Sequence, residues 1–180
     1  MKVETLELFG FVSAIKALRL PFKGKAKSDS EAKFFLNDEG YSITSHAEVT
    51  FGEKDLNLFQ ALVKNGDEHA KTVRGIIVSA SIIAPRYWWQ EMDTYRIGTE
   101  RLSSESTMHC EAKGLSGEEL QRVKSELKEG YEQERIQEFS YQTLRRIYFQ
   151  RKSHRLPEWH QFCKWIEELP FAKELITIKK

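Results

Sequence analysis

A chain of 180 residues with 28 Lys or Arg, 27 Asp or Glu and a net charge of +1 is long enough to bury a core without staples, and short enough for a single domain over 1–180. The near-cancelling charge excludes a global field that would recruit nucleic acid or a membrane surface, so any such attraction has to be local. Two cysteines, Cys110 and Cys163, stand in no CxxC or CxxH spacing, which excludes a disulfide framework or zinc knuckle and points to a reducing, cytoplasmic setting.

The N-terminus, MKVETLELFGF, alternates polar and apolar residues. It predicts a strand over Lys2 to Phe9 and no signal peptide, and no window reaches the roughly eighteen apolar residues of a membrane span. A short helix over Val12 to Leu18 stops before Pro21, and KGKAKSDS, Lys23 to Ser30, reads as a mobile loop. Ser42 to Phe51 suggests a strand. Asp55 to Lys64 suggests a helix with Leu56, Phe59, Leu62 and Val63 on one face, closed by Gly66. Thr72 to Ile83, dense in Val and Ile, has the composition of a buried strand. Pro85 suits the first position of a helix to Tyr95, because its missing N–H would have no partner there.

Ser116 with Glu119 spells a capping box for a helix through Lys128. A further long helix is expected with the stripe Ile136, Phe139, Thr143, Leu144, Ile147 and Tyr148. Pro157 then opens a last helix with Trp159, Phe162, Cys163, Ile166 and Leu169 inward. The expected fold class is α+β: a β-sheet packed on helices, with a mainly helical C-terminal half.

The stretch APRYWWQEMDTYRIGTERLSSESTMH, Ala84 to His109, concentrates arginines and hydroxyls. A helix from Pro85 places Arg96 at its exit, followed by Thr99, Ser103, Ser104, Ser106 and Thr107. Arginine beside clustered hydroxyls suits phosphate, since the guanidinium fork meets two phosphate oxygens at once. The same hydroxyls also suit helix caps and turns. Elsewhere, His154, Glu158 and His160 lack HxxxH spacing and are interrupted by Pro157, so no metal site is expected. His109 and Cys110 are adjacent, and neighbours on a strand point to opposite faces, which excludes a nucleophile and base dyad. No GxGxxG or GxxxxGK[ST] occurs, so neither a Rossmann nor a P-loop cofactor site is written. The basic, aromatic run RRIYFQRKSHR, Arg145 to Arg155, suits a solvated helical face or contact with single-stranded nucleic acid through Tyr148 or Phe149.

The order of these segments resembles the flavin-dependent, ThyX-type thymidylate synthases. That family carries R-H-R-x-x-S-x-N-E-x-S-x-R-Y, preceded by a helix with S-R-A and followed by a helix ending A-Q-x-E-I-R. Pro85-Arg86-Tyr87 is similar to S-R-A, and Tyr95-Arg96 with Thr99 is similar to H-R-x-x-S. Ser103 to His109 stands opposite N-E-x-S-x-R-Y, after an insertion that contains Arg101. Arg151, Ser153, His154 and Glu158 resemble the C-terminal motif, and Gly66 to His69 resembles the family's glycine-histidine motif. The likeness runs in order from about Lys2 to Leu169.

The resemblance implies a pyrimidine nucleotide such as dUMP as substrate, FAD as cofactor, NADPH and methylenetetrahydrofolate as co-reactants, and a homotetramer whose sites draw on several subunits. It implies Ser106 as catalytic residue, Arg96 and Thr99 as cofactor contacts, and Arg101, Ser104 and Arg151 as substrate contacts, with Arg86 and Glu158 as braces and no metal. Glu91 stands for the family's glutamine, Thr94 for the first arginine of R-H-R, Met108 for the arginine of S-x-R-Y, and His160 for that of E-I-R. Losing these groups removes much of the charge-assisted grip on a nucleotide. Two functions therefore stay open: a divergent thymidylate synthase-type methyltransferase, and a non-catalytic relative that binds nucleotide or flavin as a regulatory protein. A nucleic-acid module is the weaker third, and a membrane partner is not expected.

Overall fold

The computed structural model describes residues 1–36 and 42–179. Four antiparallel strands form the central sheet in the order β1 (Lys2–Phe9), β4 (Ile77–Pro85), β6 (Glu132–Ser140), β5 (Thr99–Ser104), so β5 is an edge. β2 (Glu31–Leu36) and β3 (Ser42–Thr50) pair as a separate two-stranded sheet. The helices are α1 (Phe11–Leu18), α2 (Glu53–Lys64), α3 (Arg86–Met92), α4 (Gly117–Glu126), α5 (Tyr141–Arg151), α6 (Pro157–Glu168) and α7 (Ala172–Leu175). The α+β expectation holds.

One face of the sheet builds the core. Val78, Ala80, Ile82 and Ala84 alternate along β4 and are fully buried, and in register Phe139 lies opposite Val78 and Gln137 opposite Ala80. Residues paired across an antiparallel ladder share a face. Trp88 and Trp89 of α3 and Trp159 and Phe162 of α6 pack over this surface as a ring cluster, with the Trp88 and Trp159 centroids 4.8 Å apart. Each such ring contributes on the order of 2–3 kcal/mol by leaving water. The other face carries Glu4, Ser81, Glu134 and Glu138, and Ser79 Oγ donates to Glu138 at 3.0 Å.

Several expectations are corrected. The long helix expected around Ile136 and Phe139 is strand β6 up to Ser140, and only then helix α5. EQERIQEF is rich in helix formers, but it lies between β4 and β5, and two ladders of tertiary hydrogen bonds outweigh propensities of tenths of a kcal/mol. The Ser140 side chain marks the switch by accepting from Thr143 N. The strand expected from Thr72 starts at Ile77, because Lys71–Gly75 forms a 3-10 turn against Gly10; a Cβ on Gly10 would meet the Gly75 carbonyl at 1.7 Å. The helix expected from Pro85 to Tyr95 spans only Arg86–Met92. Ser116 stands at the start of α4 but makes no side-chain cap, so the capping box is not formed.

The segment Lys23 to Ser30, expected as a mobile loop, contains a 3-10 turn at Lys25–Lys27 and ends on α2. Asp29 oxygens accept from Lys54 N at 2.9 Å and Asp55 N at 3.0 Å, and Ser28, Ser30 and Arg19 all donate to the fully buried Asp55 carboxylate. Burial pushes the Asp55 carboxyl up, but the Ser28, Ser30 and Arg19 hydrogen bonds and the Arg19 charge outweigh it and hold its pKa below the ordinary value. Among the described residues, no helix is long and apolar enough to cross a membrane, and no group of three or more His, Cys, Asp or Glu is placed to hold a metal.

Candidate functional site

The arginine and hydroxyl segment forms the corner between α3 and the edge strand β5. The chain turns at Gly98, whose φ of 75° is left-handed and whose missing Cβ leaves room for Thr143 Oγ1 at 2.2 Å and Ser140 Oγ at 2.8 Å. The turn is tied to α5 because Ser140 N donates to Gly98 O at 2.9 Å and Thr143 Oγ1 donates to Ile97 O at 2.8 Å. Thr99 Oγ1 donates back to Tyr95 O.

Register then sorts the β5 side chains. Thr99 pairs with Phe139 and Arg101 with Gln137; a bulge at Leu102 shifts the phase, so Ser103 pairs with Ile136 and Ser104 with Arg135. Without the extra residue Ser103 would follow Arg101 on the same face; with it, Ser104 does. Thr99, Arg101 and Ser104, three of the expected contacts, therefore share one face beside Gln137 and Arg135. Gln137 Oε1 is buried and has no hydrogen-bond partner among the described residues.

Arginine charge accumulates here. Arg135 Nη1 lies 2.8 and 3.1 Å from the two Asp93 oxygens, its guanidinium sits 4.3 Å from the Trp89 ring centre, and Arg101 Nη1 reaches the same Asp93 only at 3.9 Å. Burial pushes the Arg135 pKa down against the opposing pull of Asp93. Two guanidinium groups share one carboxylate on this face, while Glu100, Glu134 and Glu138 lie on the opposite face of the same strands. Arg96 is exposed and has no hydrogen-bond or ion-pair partner among the described residues. Apolar surface lies alongside, with Ile97 76% and Leu102 56% exposed.

Ser106 lies just beyond β5, where its carbonyl accepts from His109 N at 2.9 Å and Cys110 N at 3.1 Å. Its side chain is half-buried. The same turn is held by Lys124 Nζ donating to Thr107 Oγ1, and Glu105 Oε2 accepts from Glu134 N at 2.8 Å. Ser103, Ser104, Glu105, Glu134 and Ile136 line a groove of about 340 Å³ beside it.

Arg151 stands apart from that groove. Its Nη1 donates to Glu91 Oε2 at 2.8 Å, its Nε donates to Tyr95 Oη at 2.7 Å, and its guanidinium lies 4.6 Å from the Trp159 ring centre. Trp159 Nε1 donates to the same Glu91 oxygen at 2.9 Å, with His154 Nε2 at 3.5 Å. The substrate-contact position is thus occupied by an internal carboxylate, and among the described residues no hydrogen bond or ion pair links Arg151 to Arg101, Ser104 or Ser106. The caging roles of Tyr95, Trp159 and Glu91, and the Arg135–Asp93 pair, carried no local signal: their partners are 42 to 68 residues apart.

Arg86 and Glu158 tie elements together. Arg86 N donates to Tyr131 O at 3.0 Å, and Tyr87 Oη donates to Glu158, whose carboxylate together with burial pushes the Tyr87 phenol up to about 12. His160 Nε2 is 2.6 Å from the His154 carbonyl. The basic run is divided: Arg145 is buried, Tyr148 donates to Glu167 at 2.6 Å, and Arg151 turns to Glu91.

No protein-family model and no curated protein matches the chain. Solved structures do. A flavin-dependent thymidylate synthase ThyX from Helicobacter pylori, complexed with FAD and dUMP, superposes with a TM-score of 0.69 at 17% identity over 98% of both chains. A second structure of that enzyme with FAD and dUMP gives 0.71 at 15%, again over 98% of both. A UMP/dUMP methylase, PolB from Streptomyces cacaoi, bound with 5-Br dUMP, gives 0.66 at 13%, covering 99% of this chain and 95% of that one. The family resemblance read from the sequence is met by the fold, end to end.

Proposed function

We propose that this chain, which has the ThyX fold over its whole length, binds FAD and a pyrimidine nucleotide at the α3–β5 corner and methylates the nucleotide. The observation that carries the reading is the alignment of Thr99, Arg101 and Ser104 on one face of an edge strand, beside Arg96, which has no partner among the described residues. Structures with this fold were crystallised with FAD and dUMP.

The residues present fit a flavin dinucleotide: Arg96 offers a cation to its diphosphate next to Thr99, whose own hydroxyl donates to Tyr95 O and so fixes the turn rather than the phosphate, and exposed Ile97 and Leu102 offer apolar surface to its ring. Arg101 takes the nucleotide phosphate, and Ser104 and Ser106 offer hydroxyls to the nucleotide from the far end of the strand. When bound and reduced by NADPH, FAD supplies the reducing equivalents with which a methylenetetrahydrofolate carbon becomes the methyl group on the pyrimidine. The protein contributes binding and orientation: Arg101 reaches Asp93 only at 3.9 Å, so its guanidinium is held beside the strand without being committed to that carboxylate. Exposed Ile97, Leu102 and Met108 support assembly into a homotetramer, which would close the site. Yellow protein of tetrameric mass that oxidises reduced flavin only with dUMP would support the reading. Colourless protein whose melting is unmoved by FAD and dUMP would refute it.

The Glu91–Arg151 pair favours a second reading, a relative that binds flavin or nucleotide as a regulatory protein without methylating it. An internal carboxylate on the guanidinium competes with an incoming phosphate. Saturable flavin and dUMP binding without turnover would select this reading.

A further inference from the structure

On a different face of α5 a second cleft, of about 480 Å³, opens between Asp67, Arg145, Arg146, Phe149, Lys152 and Lys179. Residues 145, 149 and 152 are spaced four and three apart along the helix, so they share one face. Four cations meet one acid in this lining. None of the four has a carboxylate within 4.0 Å among the described residues, whereas Arg19, Arg135 and Arg151 elsewhere each do.

Arg145 gives the cleft a built wall. It is 7% exposed, and its Nη1 donates to the carbonyls of Ile176 at 2.6 Å and Ile178 at 2.5 Å, which lock the guanidinium against the C-terminal segment. Neutral carbonyls orient a cation but do not neutralise it, and a buried charge without a counter-ion is costly. Burial accordingly pushes the Arg145 pKa down, with Asp67 opposing. Arg146 is held by Nη2 donating to Ile97 O at 3.1 Å. Phe149 provides an apolar floor, with the Arg145 guanidinium 4.8 Å and Lys152 Nζ 5.0 Å from its ring centre.

We infer that this cleft binds a small molecule carrying two or more phosphate charges. Two guanidinium forks on a rigid wall and two exposed ammonium groups at the rim match adjacent phosphates. Asp67 repels an anion on one side and so confines it to the α5 side. The volume lies in the usual range for a small-ligand pocket. A nucleic-acid strand is disfavoured because the rest of the basic run leads elsewhere: Tyr148 is bound to Glu167 and Arg151 to Glu91, so no continuous track extends from the cleft.

Inorganic pyrophosphate carries neither flavin nor base but resembles the diphosphate offered to Arg96, so the test is separated from the flavin reading by titrating Arg96→Ala, which removes that contact and leaves the cleft intact. Titration calorimetry on the flavin-free, full-length Arg96→Ala chain is expected to show saturable one-site binding, tighter than that of inorganic phosphate. The variant with both Lys152→Ala and Lys179→Ala, two exposed positions whose loss leaves the core intact, is expected to weaken it at least about tenfold. A charge-matched control with Lys113→Ala and Lys128→Ala is expected to bind as the parent does. Absence of saturation, or an equal loss in both double variants, would overturn the inference. So would a single-stranded ten-nucleotide oligomer that binds more tightly than pyrophosphate through the same lysines, which would make the face a nucleic-acid contact.

Discussion

Replacing Glu91 by glutamine restores the residue type of the resembled motif and separates two roles of one side chain. The Glu91 carboxylate receives Arg151 Nη1 at 2.8 Å and Trp159 Nε1 at 2.9 Å on a single oxygen. Charge-assisted hydrogen bonds of this kind contribute about 1.5–3 kcal/mol when dry. Here the side chains are 33% and 18% exposed, and solvent screening lowers the loss to about 1 kcal/mol, since an amide oxygen still accepts one of the bonds. Thermal denaturation of E91Q should therefore fall by about 2–4 °C. The same change frees Arg151, and where a neighbouring subunit of the proposed tetramer brings its groove to that guanidinium, dUMP affinity measured by calorimetry should rise about tenfold, equivalent to about 1.4 kcal/mol. Lower stability with tighter dUMP is the expected pair of results. Unchanged stability would mean that the ion pair contributes nothing. Weaker dUMP binding would mean that the carboxylate itself contacts the ligand, and the competition argument would be refuted.

Arg101→Ala should weaken nucleotide binding by about 1.5–3 kcal/mol if Arg101 meets the phosphate, and unchanged affinity would reject that role. Asp55→Asn removes the fully buried negative charge beside Arg19 and replaces one of the two oxygens that accept from Arg19, Ser28 and Ser30 with a donor, and should cost about 3 kcal/mol in urea unfolding. Because the folded pKa of Asp55 lies below its unfolded value, its stabilisation is present above the unfolded pKa near 3.8 and is lost as pH falls through the folded one. The parent should thus lose stability below about pH 4 more steeply than D55N, and parallel pH profiles would contradict this. Gly98→Ala forces a Cβ onto Thr143 Oγ1 at 2.2 Å in a left-handed conformation, and should cost about 2–3 kcal/mol and weaken flavin binding with it. A G98A protein as stable as the parent would show that the corner relaxes.

Helices whose apolar residues recur at helical spacing were legible in the sequence. α6 buries Trp159, Phe162, Cys163 and Ile166 as its pattern predicts, and Lys2–Phe9 is a strand as its alternation predicts. β6 was not legible. Its Glu, Gln and Arg residues favour a helix in isolation, and only pairing on both edges makes the extended form cheaper. The site divides in the same way. The sequence supplied Arg96, Thr99, Arg101, Ser104 and Ser106 in one short run, and a ladder then set their faces. A single bulged residue, Leu102, decided that Ser104 rather than Ser103 would join Arg101.

By itself, then, the sequence determined which chemistry is on offer: hydroxyls and arginines in one segment, a basic run in another, and apolar stripes to bury. Local spacing sets such features because helix and strand periods act over a few residues. Tertiary structure alone decided which charges are spent. Arg151 meets Glu91 across 60 residues and Arg135 meets Asp93 across 42, while Arg145 is sealed against the carbonyls of the C-terminal segment. Electrostatic pairing depends on distance in space and on the water excluded around the pair, and neither quantity is written in the order of the residues.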